Sequence, residues 1–302
     1  MARVPKRIRR TFLLTLTLAS LLLLAASLLP TLTPPTIPPP PPHPGRIFIA
    51  SNHWNSAHIL PTWTAAVLTL IDHLGPDNVY FSLYESGSWD STKSHLRYLD
   101  SELANRGVAR SIILDDRTHA DELANPPTAP TPGWIRTPDD TIELRRIPYL
   151  AGLRNRVLEP LQTLNSTFDK LLFLNDVVFT ARDALELLHT RSGHHAAACS
   201  LDFRYPPAFY DTFALRDSTG RAAAAQRFPF FAPGPSRSAI LRLDPVPVKS
   251  CWNGMVSFAA APFLPPQNLR FRGIGDELAG WHLEGSECCL IHYDNTAEGG
   301  VL

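Results

Sequence analysis

The residues able to carry chemistry fall in short polar clusters, and the clearest is Asn175-Asp176 within Leu171–Thr180, LLFLNDVVFT. The four apolar residues before it, Leu171 to Leu174, read as a strand buried on both faces of a sheet. The Asp176 carboxylate would then project from the carboxyl end of a central strand, the edge where open α/β sheets bind ligands. A carboxylate drawn out of water needs a partner, and a divalent cation is the most economical one in a site that handles phosphates. From the dipeptide alone, an Asp capping the next turn is the simpler reading. Similar groups recur where other strands should end: Ser51-Asn52, Glu85, Asp115-Asp116 and Asp202. Each by itself suits a turn, but parallel strands would gather all of them into one crevice.

Arg145, Arg146, Arg154 and Asn155 precede that strand. Arginine forks bind phosphate oxygens while a cation bridges phosphate to carboxylate, so this mixture suits a nucleotide diphosphate with a metal. A solvated helix face accounts for each arginine singly. In the second half, Cys251-Trp252-Asn253-Gly254 sets an aromatic beside an amide. A Trp face packs on the C–H face of a sugar and Asn pairs with its hydroxyls, although a core Trp at a tight turn is the simpler reading. Glu287 and His292 could point different ways from one short element, and a lone His is more often structural than a ligand.

These groups need elements to position them. Arg46–Ser51 reads as a first strand, and Ile59, Leu60, Trp63, Val67, Leu70, Ile71 and Leu74 follow at helical spacing until Gly75-Pro76. Asn78–Leu83 is a second strand, Leu96, Leu99 and Leu103 mark a second helix ended by Gly107, and Ser111–Leu114 is a third strand. Strands alternating with helices predict a parallel, Rossmann-like sheet. Arg117–Asp140 reads as a long loop, and Leu150–Leu164 as an amphipathic helix broken at Pro160. Thr180 with Asp183 predicts a capped helix over Ala181–Thr190, and Ala196–Leu201 a small strand. Beyond Phe203 the periodicity fades, and loops with short strands are expected to build an acceptor pocket. Neither G-x-G-x-x-G nor G-x-x-x-x-G-K-[ST] occurs, which argues against a dinucleotide cofactor and a P-loop ATPase.

The 302 residues carry 28 basic and 28 acidic side chains, a balance that gives no nucleic-acid signal. Arg3, Lys6, Arg7, Arg9 and Arg10 fill residues 1–10, an expected cytosolic tail. The uncharged 19-residue run Thr11–Leu29 would span about 28 Å as a helix at ~1.5 Å per residue, enough for one membrane crossing. The flanking charge predicts an uncleaved signal anchor with the bulk of the chain lumenal. Residues 30–45 form a proline-rich stem, leaving 46–302 as the globular part. Cys199, Cys251, Cys288 and Cys289 fit an oxidising lumen and allow three pairings.

Seven stretches together carry a family resemblance: SNHWNSAHILPTW, VYFSLYESGSWDSTKSHLRYLD, RRIPYLAGLRNRVLEPL, LLFLNDVVFT, CSLDFRYPPAFYDTFALRD, VKSCWNGMVSFAAAPF and SECCLIHYDN. With them the chain resembles the fungal capsule-type α-1,3-mannosyltransferases, glycosyltransferase family 69. The resemblance implies an α/β, GT-A-like, Rossmann-type nucleotide-sugar domain with a loop-rich acceptor half, on a single-pass type II Golgi anchor. It implies GDP-mannose as donor, a mannose-containing glycan as acceptor, Mn²⁺ (or Mg²⁺) as cofactor, and retention of configuration. Asn175-Asp176 would stand in place of the usual D-x-D motif, with Asp176 and His292 as metal ligands and Glu287 near the acceptor. Same-face attack is the expected route, with a glycosyl-enzyme on Glu287 or Asp202 as its competitor. The chain stops soon after SECCLIHYDN, where family members are expected to continue. The alternative is a non-catalytic lumenal glycan-binding or capsule-assembly protein.

Overall fold

Alternation in Ile47–His53 (β1) sends Ile47 and Ile49 to one side of a sheet and Phe48 and Ala50 to the other, all four buried. Two-sided burial of this kind marks a central parallel strand. In the computed structural model, which describes residues 45–295 except Pro138, Asn165, Asp211, Gly280 and His282, β1 lies inside a six-stranded sheet. β2 (Val79–Ser86) and β4 (Lys170–Leu174) flank β1 in parallel, and β3 (Ala109–Asp115) adds to β2 in parallel. β6 (Met255–Ala259) runs antiparallel between β4 and β5 (Ala197–Cys199), giving the order β3-β2-β1-β4-β6-β5. The carboxyl ends of β1 to β5 therefore share one edge with the amino end of β6.

Helices cover both faces. α1 (Leu60–Leu74), α2 (Thr92–Asn105) and α4 (Ala181–Leu188) pack with Ile47, Ile49, Leu172 and Leu174. α3 (Arg146–Leu158) and α5 (Glu287–Asp294) pack with Phe48, Leu171, Phe173 and Phe258. Each fully buried Leu, Ile or Phe contributes about 1.5–3 kcal/mol, so these two layers are what fix the sheet. α1 stops at Gly75 and α2 just before Gly107, both at positive φ, where a side chain is disfavoured. Thr180 and Asp183 cap α4 reciprocally, as their spacing predicts.

The structure corrects several expectations. The stretch expected as a long loop holds a capped helix, His119–Ala124, and a two-stranded ladder, Trp134–Arg136 with Ile142–Leu144. The weakly patterned second half supplies β6, a central strand, and α5. Of the cysteine pairings left open, Cys199–Cys251 forms, closing a separation of 52 residues, and Cys288 and Cys289 are not disulfide-bonded. The expected tail at 1–10, membrane span at 11–29 and stem up to Pro44 lie outside the described residues. Among the described residues no helix is long and apolar enough to cross a membrane.

Candidate functional site

β4 ends at Leu174, and two backbone contacts hold the next residue. Trp63 Nε1 donates to the Asn175 carbonyl at 3.0 Å, and Asn175 N donates to the Gly254 carbonyl at 3.0 Å. Asp176 follows as an exposed residue on the carboxyl edge. Facing it is Arg154 of α3, whose Nε donates to Glu287 Oε1 at 3.1 Å and whose guanidinium lies 4.3 Å above the Trp252 ring. Burial works against the Arg154 charge, but Cys288, Glu287 and Asp176 more than offset it, so its pKa is raised. Glu287 takes only Nε in the described hydrogen bonds, which commit neither terminal nitrogen of Arg154. A fixed, stacked guanidinium beside an exposed carboxylate can accept an anion and its counter-cation together.

On the other side of β1, Glu85 is fully buried at the end of β2 and accepts from Ser88 N. Lys93 lies 3.6 Å from Glu85 and 2.9 Å from the exposed Asp116. Asp115 accepts from Tyr84 Oη at 2.5 Å and from Arg117 N at 2.9 Å. Burial would raise the Asp115 pKa, but these hydrogen bonds and the Arg156 and Arg117 charges hold it below the usual carboxylate range. Burial, then the Asp115 contact, pushes the Tyr84 phenol well up. Ser51 donates to the Leu174 carbonyl at 2.7 Å, and Asn52 donates to the Leu153 carbonyl at 3.0 Å while its buried Oδ1 has no partner. Asp202 lines a cavity of about 430 Å³ with Val177, Phe179 and Gly254, on the β5 side of Asp176.

Several expected site residues have structural work instead. Arg145 is spent on carboxylates and a carbonyl: Nη1 donates to Asp276 at 2.6 Å and Ile274 O at 2.9 Å, and Nη2 to both Glu284 oxygens. It is not open to a phosphate, whereas the adjacent Arg146 is exposed. The Asn155 amide pairs both ways with the Phe271 backbone, at 2.8 and 2.9 Å. Trp252 is 5% exposed, packed among Arg154, Phe173 and Phe271, so no sugar reaches its face. Asn253 is also buried and makes the positive-φ turn into β6. Glu287 is the buried counter-ion of Arg154 and accepts from the Cys288 thiol at 3.3 Å, which occupies it as a nucleophile. His292 does not join Asp176: its ring stacks on Phe258 and its Nε2 donates to the Cys251 carbonyl at 2.7 Å. Burial drops its pKa to about 4, although that backbone bond opposes the drop.

Sequence reasoning missed an aromatic pair. Trp54 follows β1, Trp89 follows β2, and the rings meet edge to face at 5.0 Å while standing 48% and 73% exposed. Asn55 and Ser88 tie the two loops, with Asn55 N donating to Ser88 Oγ at 2.9 Å and Trp89 N to Asn55 Oδ1 at 3.1 Å. Gly87 bends the second loop at φ 65°, with the Arg117 carbonyl where a side chain would stand. Both tryptophans lie in the stretches that carry the resemblance, SNHW and SGSWD, which was the available signal.

For the implied divalent cation, the donor set is narrow. Asp176 is the one exposed carboxylate at the β4 tip, the Asn175 carbonyl is taken by Trp63, and among the described residues Asp176 joins no group of three His, Cys, Asp or Glu ligand atoms. That fits a cation held by one carboxylate with phosphate oxygens and water, and not a cage made by protein alone.

The model of the family described as Cryptococcal mannosyltransferase 1 matches residues 46–294. "Alpha-1,3-mannosyltransferase CMT1" of Cryptococcus neoformans is 28% identical over 275 residues, covering 83% of this chain and 54% of that protein. The chain thus spans about half the length of the curated relative it matches. Among solved structures, mannosyltransferase PcManGT from Pyrobaculum calidifontis, in complex with GDP-Man and Mn²⁺, is similar at 12% identity and TM-score 0.39 over 77% of this chain and 49% of that one. S. aureus TarS 1–349 in complex with UDP is similar at 10% identity and TM-score 0.42, covering 82% of this chain and 54% of that one.

Proposed function

The chain belongs to the Cryptococcal mannosyltransferase 1 family, and from that premise we propose that it transfers mannose from GDP-mannose to a mannose-containing glycan. The observation that carries this reading is Arg154, partly buried and stacked on Trp252, set against Glu287 and the exposed Asp176 on the carboxyl edge of the sheet. The fold is read as GT-A-like, with the donor at the ends of β1 to β4.

In this reading Arg154 binds the donor diphosphate through its terminal nitrogens, and Glu287 with Trp252 holds the guanidinium in place. Asp176 would hold Mn²⁺ or Mg²⁺, which when bound supplies positive charge to the departing GDP. Arg154 adds fixed charge at the same point, in a site where little solvent has to reorganise. Ser51, Asn52 and the Tyr84–Asp115 pair line the nucleotide side. Trp54 and Trp89 offer the acceptor a rigid aromatic platform in place of Trp252. With Glu287 occupied by Arg154, retention proceeds by same-face attack, and Asp202 is the remaining carboxylate for a covalent route. The basic residues 1–10 and apolar residues 11–29 support a type II Golgi anchor with the domain lumenal.

The test is release of GDP and transfer of mannose by the purified protein, given GDP-mannose, Mn²⁺ and a mannobiose acceptor, with and without EDTA. Transfer that stops with EDTA and in Asp176→Ala supports the reading. Folded protein that binds mannobiose yet neither transfers nor hydrolyses GDP-mannose supports a glycan-binding role instead.

A further inference from the structure

β5 stands at the edge of the six-stranded sheet. Residues 245–248 line the same space as β5, and Pro245 and Pro247 have no N–H to offer a ladder. The two segments therefore stay unzipped, around a largely apolar cavity of about 870 Å³. Leu215, Phe231 and Ile240, buried residues of a separate apolar cluster, also line it. A cavity of this size and lining suits a hydrocarbon group with few polar contacts.

One polar side chain in it is unspent. Asn253 lines the cavity at 3% exposed, its Oδ1 has no partner, and its Nδ2 enters none of the described hydrogen bonds. An unpaired buried amide is destabilising, and a hydroxyl, both donor and acceptor, satisfies either end of it. His195 is committed by contrast, with Nδ1 on the Thr190 carbonyl at 3.0 Å and Nε2 on Ser257 Oγ at 2.9 Å. The cavity also adjoins the candidate site. Thr190, Ser200 and Leu201 line both it and the smaller cavity at Asp202, and Asn253 precedes Gly254, whose carbonyl holds Asn175 beside Asp176. In sheet order the tips run from Trp54 at β1 past Asp176 at β4 and Gly254 at β6 to β5, three strand spacings or about 14 Å.

We infer that the glycan ligand is a glycolipid: a mannoside whose hydrocarbon aglycone fills the cavity beside β5. Its sugars lie along the strand tips, a hydroxyl near the aglycone pairs with the Asn253 amide, and the chain lies against Leu215, Phe231 and Ile240. The identity of the sugar rests on the proposed transferase reading; the chain in the cavity does not.

The test is calorimetry on the full chain without GDP-mannose, using methyl, butyl, hexyl and octyl α-mannobioside below micelle-forming concentrations. Affinity should rise about fourfold for each methylene that enters the cavity, and the heat-capacity change should grow more negative along the series. Val246→Trp, which fills the cavity from a half-buried position, should abolish the dependence on chain length. Leu201→Asp, at a 45% exposed position shared by the two cavities, should weaken it and keeps the test alive if the tryptophan variant misfolds. Asn253→Gly, which suits the positive φ there, should weaken every member by about three- to tenfold and leave the dependence intact. A flat series, a dependence that survives both cavity variants, or octyl phosphate binding as tightly through Arg191 and His194 overturns the inference. Chain-length-dependent binding by protein that transfers nothing would uphold this site while the transferase reading fell. Transfer with equal KM for the methyl and octyl compounds would do the reverse.

Discussion

Replacing Arg154 by Met removes a charge while keeping the apolar stem that packs on Trp252. The side chains of Glu287 and Arg154 are 4% and 16% exposed, so their contact behaves as a buried pair. Stripping one partner from such a pair costs about 3–5 kcal/mol, because the other charge stays behind. The guanidinium over Trp252 adds about 1–2 kcal/mol in a desolvated setting. The Cys288 thiol still donates to Glu287, so about 3 kcal/mol, the low end of that range, is the working figure. At about 2–4 °C per kcal/mol for a domain of this size, Tm should fall by about 6–12 °C. Glu287→Gln alone should cost about 1–3 kcal/mol, since Arg154 keeps Trp252 and Asp176. The double variant leaves no unpaired buried charge and should recover about 2 kcal/mol of the combined loss. Urea unfolding of all four proteins measures this. Losses that add to within about 0.5 kcal/mol would show that the pair is not a unit, and the argument that Glu287 holds Arg154 for the diphosphate would go with it.

Asp176→Asn removes an exposed carboxylate, so Tm should move by less than about 1 °C while calorimetric affinity for GDP with Mn²⁺ falls at least tenfold; unchanged affinity removes Asp176 from the site. Trp89→Ala should raise the KM for mannobiose several-fold and leave the Kd for GDP-mannose alone; a change in the donor Kd instead would move the tryptophan pair to the nucleotide. His53, buried at the end of β1, is held at a pKa of about 3 by burial, below its ordinary 6.5. The unfolded chain therefore binds the proton first, and this contribution is full above pH 6.5 and drains as pH falls toward 3, by about 1.4 kcal/mol per unit. His53→Leu should flatten the acid limb of stability against pH by that slope, and an unaltered limb would refute the assignment.

What the sequence disclosed follows from where local pattern and tertiary need agree. Leu171–Leu174 is apolar because both its faces are covered, and that alone placed Asp176 at a strand tip. Thr180 with Asp183 and the glycines at 75 and 107 act within a turn of chain, so their spacing sufficed. Met255–Ala259 stayed hidden because a central antiparallel strand has no alternation to show, and α5 because its apolar residues do not line one face. Arg145, Asn155 and Trp252 looked available for ligands since their partners, Asp276, Phe271 and Arg154, lie roughly a hundred or more residues away. A sequence shows that a polar side chain exists; only the fold shows what has already claimed it.

Arg145 has a consequence of its own. It stands at the start of α3, yet through Ile274, Asp276 and Glu284 it fastens a stretch more than 120 residues further along the chain. Asp276 in turn takes Gly133 N, so one cationic rivet joins the 133 turn and the 274–284 arm. Fastening of this kind loosens with ionic strength, while the apolar layers beneath the sheet do not. In molar salt, chymotrypsin should nick the arm at the exposed Leu278, Trp281 or Leu283 before it attacks the strands, and a single Arg145→Gln exchange should bring the same nick about in dilute buffer.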